Sequence, residues 1–237
     1  MIALLIALAI FAYFTLVGRA LQRVLTPSIR LIQGWLLSPV LGFSITLLMA
    51  TILNQAGWPV GKIGLGVLIC SSGVSLSIFW RQKTAMPRSL LWLYAFCSVA
   101  AMLACGWPML LYGFNWLSFG NADMAYYCIS ADRMLRSGFF EIPDAQGLSG
   151  YDWPQTLWLY VPMRARFGSE MLVAWVSSVT HLSSFKIFMP TTLALVGVLG
   201  AFTVGARAGA ALDGQTSQLT VARIPMPVLQ AAIAKAK

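Results

Sequence analysis

Residues 31–61 read LIQGWLLSPVLGFSITLLMATILNQAGWPVG and contain no charged side chain. At about 1.5 Å per residue, a helical run of this length exceeds the ~30 Å hydrocarbon core of a bilayer. The whole chain is 59% hydrophobic and only 10% charged, whereas soluble domains carry about 25% charged residues. Since so few charges cannot cover a soluble core, we predict an all-α, polytopic membrane helix bundle.

Apolar runs on both sides of this stretch bring the number of predicted transmembrane helices to about five. Their approximate positions are 2–17, 35–55, 63–80 and 89–112, within a first unit of residues 1–112, and then 185–207. An outer loop over residues 113–184 separates the fourth transmembrane helix from the fifth, and residues 208–237 form a C-terminal cytoplasmic tail. A cleavable signal peptide is not indicated, because the positive charges Arg19 and Arg23 follow the first apolar run instead of preceding it.

The basic residues predict the orientation of the chain. They group between the first and second spans, between the third and fourth, and after the fifth. Because cytoplasmic loops are enriched in Lys and Arg, we predict a multi-pass protein of the cytoplasmic (inner) membrane with its N-terminus outside and its C-terminus inside. The net charge of +9 forms no basic stripe with interleaved aromatics, so membrane lipid and not nucleic acid is the expected partner.

The only long polar stretch runs from Asn115 to Gly168, and six of the seven acidic residues lie within it or just past its end. A first helix is predicted at about 122–137, where apolar residues recur at three- and four-residue steps. A second is predicted at about 169–182, which is too short to span a bilayer. Both are interpreted as amphipathic juxtamembrane helices lying on the outer leaflet.

Asp123 falls in the first turn of the first of these helices. The free backbone N–H groups and the helix dipole favour a negative charge there, so we expect an ionised carboxylate. Such a group at the membrane boundary can accept a proton from a hydroxyl nucleophile. The alternative is that Asp123 only stabilises the helix N-terminus, and the local pattern leaves both readings open.

The order of these features resembles a known family. An apolar span leads into Gly120-Asn121-Ala122-Asp123, Tyr126 and Tyr127 follow, and a proline-containing loop and a second surface helix precede the next span. This order is similar to the first outer loop of the GT-C superfamily of integral membrane glycosyltransferases. The resemblance implies transfer of sugar from a polyprenyl-phosphate donor to a cell-envelope acceptor, with Asp123 as the catalytic residue.

Five further residues are candidates for substrate binding. Tyr126 and Tyr127 belong to the motif that carries the resemblance, and Asp152 beside a tryptophan is typical of sugar sites. Arg164 and Arg166 are suited to a lipid phosphate, or equally to headgroups or Glu170. No cluster with metal-ligand spacing occurs, so no metal is predicted, and the sequence names no cofactor.

Two alternatives to a self-sufficient enzyme remain open. The chain has fewer spans after its outer loop than family members have, so we expect an N-terminal portion or a truncated member, with a partner chain supplying the missing helices. The other alternative is that the chain has a different function, either as a component of a transporter or channel or as a non-catalytic membrane assembly subunit. The absence of acidic residues from the predicted spans argues against transport.

Overall fold

The computed structural model describes residues 2–25, 31–81, 88–116, 123–141, 168–201 and 203. The described part is helical and contains no strand. Within the described residues, seven α-helices and one short 3₁₀ turn follow one another. They are α1 (Ile2–Leu25), α2 (Leu31–Gln55), α3 (Val60–Arg81), α4 (Arg88–Tyr112), the turn Gly113–Asn115, α5 (Asp123–Arg136), α6 (Gly168–Thr180) and α7 (Ser184–Ala201).

Four helices of the described part are long and apolar enough to cross a membrane: α1, α2 from Gly34 onward, α3 and α7. The remaining long helix, α4, has 25 residues, which corresponds to about 37 Å. Large apolar side chains on the outward faces of α3 and α4 are exposed, among them Ile69, Val74, Phe96 and Leu111. The chain is therefore a multi-pass helical membrane protein whose outer surface contacts lipid.

The first span was predicted to end at Val17, with Arg19 and Arg23 in a cytoplasmic loop, whereas α1 continues to Leu25. Both arginines therefore lie within the helix, and each contacts an aromatic ring of a neighbouring helix, Trp35 and Phe79 respectively.

The α1–α2 pair is the most closely packed part of the bundle. The two helices cross where Gly18 faces Gly42, and the absence of a Cβ at both positions brings the backbones together. Phe14 is fully buried at this crossing and meets Phe43 edge-on at 5.8 Å between ring centroids. Small residues at membrane helix interfaces allow this kind of approach.

The helix α6 differs from the surface helix that the sequence predicted. Every residue from Glu170 to Ser178 is buried, and α2, α3 and α5 pack around it. Trp175 stacks on Tyr13 of α1 at 5.1 Å between ring centroids, and its indole N–H donates to the Gly64 carbonyl of α3 at 3.2 Å. The physical reason is that the six central residues Met171–Val176 are all apolar, and six successive residues cover the whole circumference of a helix, as in helices enclosed by others.

A tight turn joins α6 to α7. His181 adopts a left-handed conformation, with φ 55°, which ends α6 as a C-terminal cap residue does. The Ser177 hydroxyl donates to the Leu182 carbonyl at 2.5 Å across the same turn. His181 is exposed, so its role here is to reverse the chain.

Candidate functional site

The helix α5 begins at Asp123, one residue after the predicted start. The side chain of Asp123 and residues 117–122 lie outside the described residues, as do the predicted substrate-binding residues Asp152, Arg164 and Arg166. The described geometry of the site therefore consists of α5 itself and the elements that hold it. Backbone N–H groups in the first turn of any helix have no partner within that helix, and Asp123 occupies this turn.

One face of α5 is buried, as its periodicity predicted. Met124, Cys128, Ala131 and Met134 are 0–7% exposed, and α3 and α6 cover them. Burial, and to a smaller extent the negative charge of Asp132 one turn away, together raise the pKa of the Cys128 thiol to about 12. This face of α5 thus lies against protein, and the Cys128 thiol stays protonated at neutral pH.

A hydrogen bond ties α5 to α7. The hydroxyl of Ser184, which is fully buried, donates to Oδ1 of Asp132. Arg136 donates through Nε to the Asp132 backbone carbonyl at 3.2 Å. Asp132 therefore joins the middle of α5 to the first residue of α7, across 52 positions of sequence.

The two predicted tyrosines have different surroundings. Tyr127 is half-buried, and its ring stacks on Phe188 of α7 at 5.8 Å and 26°. Tyr126 is 40% exposed and lies three residues after Asp123. Of the pair, Tyr126 is thus the one available to a ligand, whereas Tyr127 strengthens the α5–α7 contact.

The C-terminal end of α5 is anchored to the α2–α3 turn. The Asn54 amide nitrogen donates to the Ser137 carbonyl at 3.1 Å and to the Trp58 carbonyl at 3.0 Å. The Asn54 backbone carbonyl accepts from Phe139 N–H at 3.0 Å. Asn54 is fully buried, so one side chain joins three segments.

Gly138 is needed at this junction for space. The φ of Gly138 is not in the left-handed region that a glycine helix cap uses. A Cβ at Gly138 would instead lie 2.7 Å from the Cα of Gly57. The Gly138 N–H donates to Oε2 of Glu141 at 2.9 Å, and Arg133 Nη2 donates to the Glu141 carbonyl at 2.8 Å.

The described residues contain no group of three or more His, Cys, Asp or Glu side chains that could hold a metal ion. Sequence reasoning missed the contacts of Asn54 and Ser184, since each pairs with a residue more than fifty positions away. The only available signal was that both are polar residues next to the ends of apolar helices. Together with Asp132 they hold α5 at two places along its length.

Comparison with protein-family models, with curated protein sequences and with solved structures gave no match. The class of the protein therefore follows from its own fold: a multi-pass helical membrane protein with a short helix, α5, braced against the ends of several long ones.

Proposed function

We propose that this chain is a GT-C-like membrane glycosyltransferase, or the N-terminal portion of one, that uses a polyprenyl-phosphate sugar. The observation that carries the proposal is the start of α5 at Asp123, directly after the segment that follows α4. The motif resemblance places the essential carboxylate of such enzymes at this point. The bracing of α5 by Asn54 and Asp132 supports it further, because a catalytic group has to be held on a rigid element.

The proposed reaction transfers one proton to Asp123 and exchanges one carbon–oxygen bond at the anomeric carbon of the sugar for another. The Asp123 carboxylate accepts the proton of an acceptor hydroxyl, whose oxygen then bonds to the anomeric carbon of the sugar. The bond between this carbon and the phosphate oxygen breaks, and polyprenyl phosphate leaves with the bonding electrons. The phosphate leaving group needs little help from an acid, which is consistent with a single assigned carboxylate.

The remaining candidates have binding roles in this proposal. Tyr126 is exposed and offers an aromatic face to the sugar or lipid, and Asp152 offers a second carboxylate for sugar hydroxyls. Arg164 and Arg166 would contact the donor phosphate through charge-assisted hydrogen bonds. Tyr127, stacked on Phe188, would hold the position of Tyr126.

The test is sugar transfer by membranes that contain the full chain, supplied with a panel of radiolabelled polyprenyl-phosphate sugars. Asp123→Asn is expected to lower transfer by about 10²–10⁴-fold, the usual contribution of a general base. Asp144→Asn is the matched control, since it makes the same change in the same acidic stretch at a residue with no assigned role. Undiminished transfer by Asp123→Asn at equal membrane abundance would refute the role of Asp123.

A second candidate function is supported by α6. Helices too short to span a membrane but enclosed by others are a feature of transporters and channels. α6 has 13 residues, is buried from Glu170 to Ser178, and carries the carboxylate of Glu170 at 7% exposure. Ion flux into proteoliposomes that Glu170→Gln abolishes, together with no sugar transfer by the unchanged protein, would favour a transport component.

The non-catalytic assembly subunit remains the third reading. It predicts that the chain co-purifies with a larger membrane enzyme and is inactive alone. Affinity purification in mild detergent, followed by the transfer assay on the recovered complex, distinguishes it from an enzyme that acts alone.

A further inference from the structure

Arg19 is a buried cation at the end of the bundle opposite to α5. It lies in α1, six residues before that helix ends at Leu25, and only 5% of its surface is exposed. Its Nη1 donates to Oε1 of Gln22 at 2.5 Å, and its guanidinium lies over the Trp35 ring, 5.2 Å from the centroid. The Nε of Arg19 is buried and has no acceptor among the described residues.

The backbone of α2 shapes the place where Arg19 lies. A Cβ at Gly34 would collide with Arg19 Nη1 and would lie 2.5 Å from Oε1 of Gln22. The glycine therefore lets the Arg19–Gln22 pair lie directly on the helix backbone. Any larger residue at position 34 would push the guanidinium away from Trp35.

The described carboxylates of Glu141 and Asp132 lie at the other end of the bundle from Arg19. Glu141 contacts Gly138 next to the α2–α3 turn, where Asn54 lies, and the Asp132 carboxylate accepts from Ser184. Along α2, Gly34 and Asn54 are twenty residues apart, which is about 30 Å. A second cation, Arg23, follows Arg19 by one turn, with its guanidinium 4.3 Å from the centroid of the Phe79 ring.

The cost of burying the Arg19 guanidinium, compared with the gain from its cation–π contact, indicates that Arg19 binds an anion. Burying an ion has a desolvation cost that persists after relaxation, and a single cation–π contact offsets only part of it. An arginine near the end of a span usually extends its charged group into the interface, but the side chain of Arg19 is almost wholly covered. Among the described residues, its hydrogen-bond and cation–π partners are the neutral side chains of Gln22 and Trp35, so an anion would stabilise it.

We propose that Arg19 binds the phosphate group of an anionic ligand at the end of the bundle where α1 ends and α2 begins. Gln22 and Trp35 orient the guanidinium, and Arg23 adds a second positive charge. Arg19 lies about 9 Å along the helix axis from the end of α1. The phosphodiester of a lipid headgroup and a free phosphate ion offer it the same chemistry. The proposal is independent of the function assigned to α5.

The experiment measures the thermal stability of the purified full chain in a phosphate-free maltoside detergent alone, with added phosphatidylglycerol, and with inorganic phosphate in the buffer. Stabilisation by phosphatidylglycerol alone identifies a lipid headgroup. Stabilisation by inorganic phosphate identifies a free ion. Absence of stabilisation by either probe overturns the proposal.

Variants separate a specific site from general attraction to an anionic surface. Arg19→Gln is expected to weaken the apparent affinity for the stabilising probe by about tenfold or more, a loss that corresponds to ~1.4 kcal/mol. Arg81→Gln removes the same charge from an exposed position at the end of α3 and should leave the affinity unchanged. Equal effects of the two substitutions would overturn the proposal.

A further variant keeps the test decisive if Arg19→Gln fails to fold. Gly34→Ala retains every charge but displaces Arg19 from its position on α2, so it should also weaken binding of the probe. Gly73→Ala, at a glycine whose Cβ would meet open space, is its control. Unchanged binding by Gly34→Ala contradicts the role of Arg19.

Discussion

Gly18 of α1 and Gly42 of α2 lie backbone to backbone: a Cβ on Gly18 would be 2.5 Å from the Gly42 nitrogen, and a Cβ on Gly42 would be 2.9 Å from the Gly18 nitrogen. Backbone atoms cannot move aside as the end of a flexible side chain can. The close crossing of these helices therefore depends on the absence of a Cβ at both glycines. The helix α3 packs against both helices of the pair.

Replacing either glycine by alanine should separate α1 from α2. We expect Gly18→Ala and Gly42→Ala each to destabilise the protein by about 1–3 kcal/mol, as overpacking commonly does, and to lower the melting temperature in detergent. Gly66→Ala and Gly73→Ala are the controls, because a Cβ at these positions meets open space. An equal loss for all four variants would show that the crossing has no special importance.

The hydrogen bond from Ser184 to Asp132 should hold α5 against α7. Ser184→Ala removes the donor to a charged acceptor, a change that costs about 1.5–3 kcal/mol, and should speed amide hydrogen exchange in α5. Ser77→Ala is the control, since the exposed Ser77 hydroxyl donates only within its own helix, to the Gly73 carbonyl at 2.8 Å. Exchange rates in α5 that match those of the control would contradict the role of Ser184.

The raised pKa of Cys128 predicts slow reaction with thiol reagents. With a pKa of about 12, only about 10⁻⁴ of the thiol is ionised at pH 8. A variant that retains only Cys128 should react with maleimide far more slowly than a cysteine-free variant that carries Arg136→Cys, at an exposed position of the same helix. Similar rates for the two folded proteins would contradict the burial of Cys128.

The same thiol predicts the direction of a pH effect on stability. The folded pKa is raised from 9.0, so this group's contribution to stability is complete below about pH 9 and is lost as the pH rises toward 12. Asp132→Asn should lower the pKa of Cys128 only in part, because burial is the larger cause. The pH dependence of alkylation in the two proteins measures this difference.

The predicted orientation of the chain can be tested by labelling. On a cysteine-free background, Arg136→Cys should react with a membrane-impermeant maleimide on intact cells, and Arg81→Cys should react only after the cells are opened. Both positions are exposed, so a difference reports the side of the membrane and not burial. The opposite pattern would place α5 and Asp123 in the cytoplasm.

The positions of the helices could be predicted because composition and periodicity are local properties. The uncharged run at 31–61 contains all of α2, and the repeat of Met124, Cys128 and Ala131 lies on the buried face of α5. The helix α1 continues beyond Val17, where the first span was predicted to end. The contacts of Arg19 with Trp35 and of Arg23 with Phe79 join α1 to neighbouring helices, and no local pattern reveals them.

The sequence by itself determined that this protein is a bundle of membrane helices with one polar segment that starts a helix at Asp123, because hydrophobicity and helix-start signals act over a few residues. Tertiary structure alone decided what those helices touch. In the folded chain, Trp175 of the enclosed helix α6 donates a hydrogen bond to α3, and Ser184 donates one to Asp132. Arg19 is buried against the backbone of α2 at Gly34. Such contacts depend on how distant segments approach one another in three dimensions, and the order of residues along one segment does not contain that information.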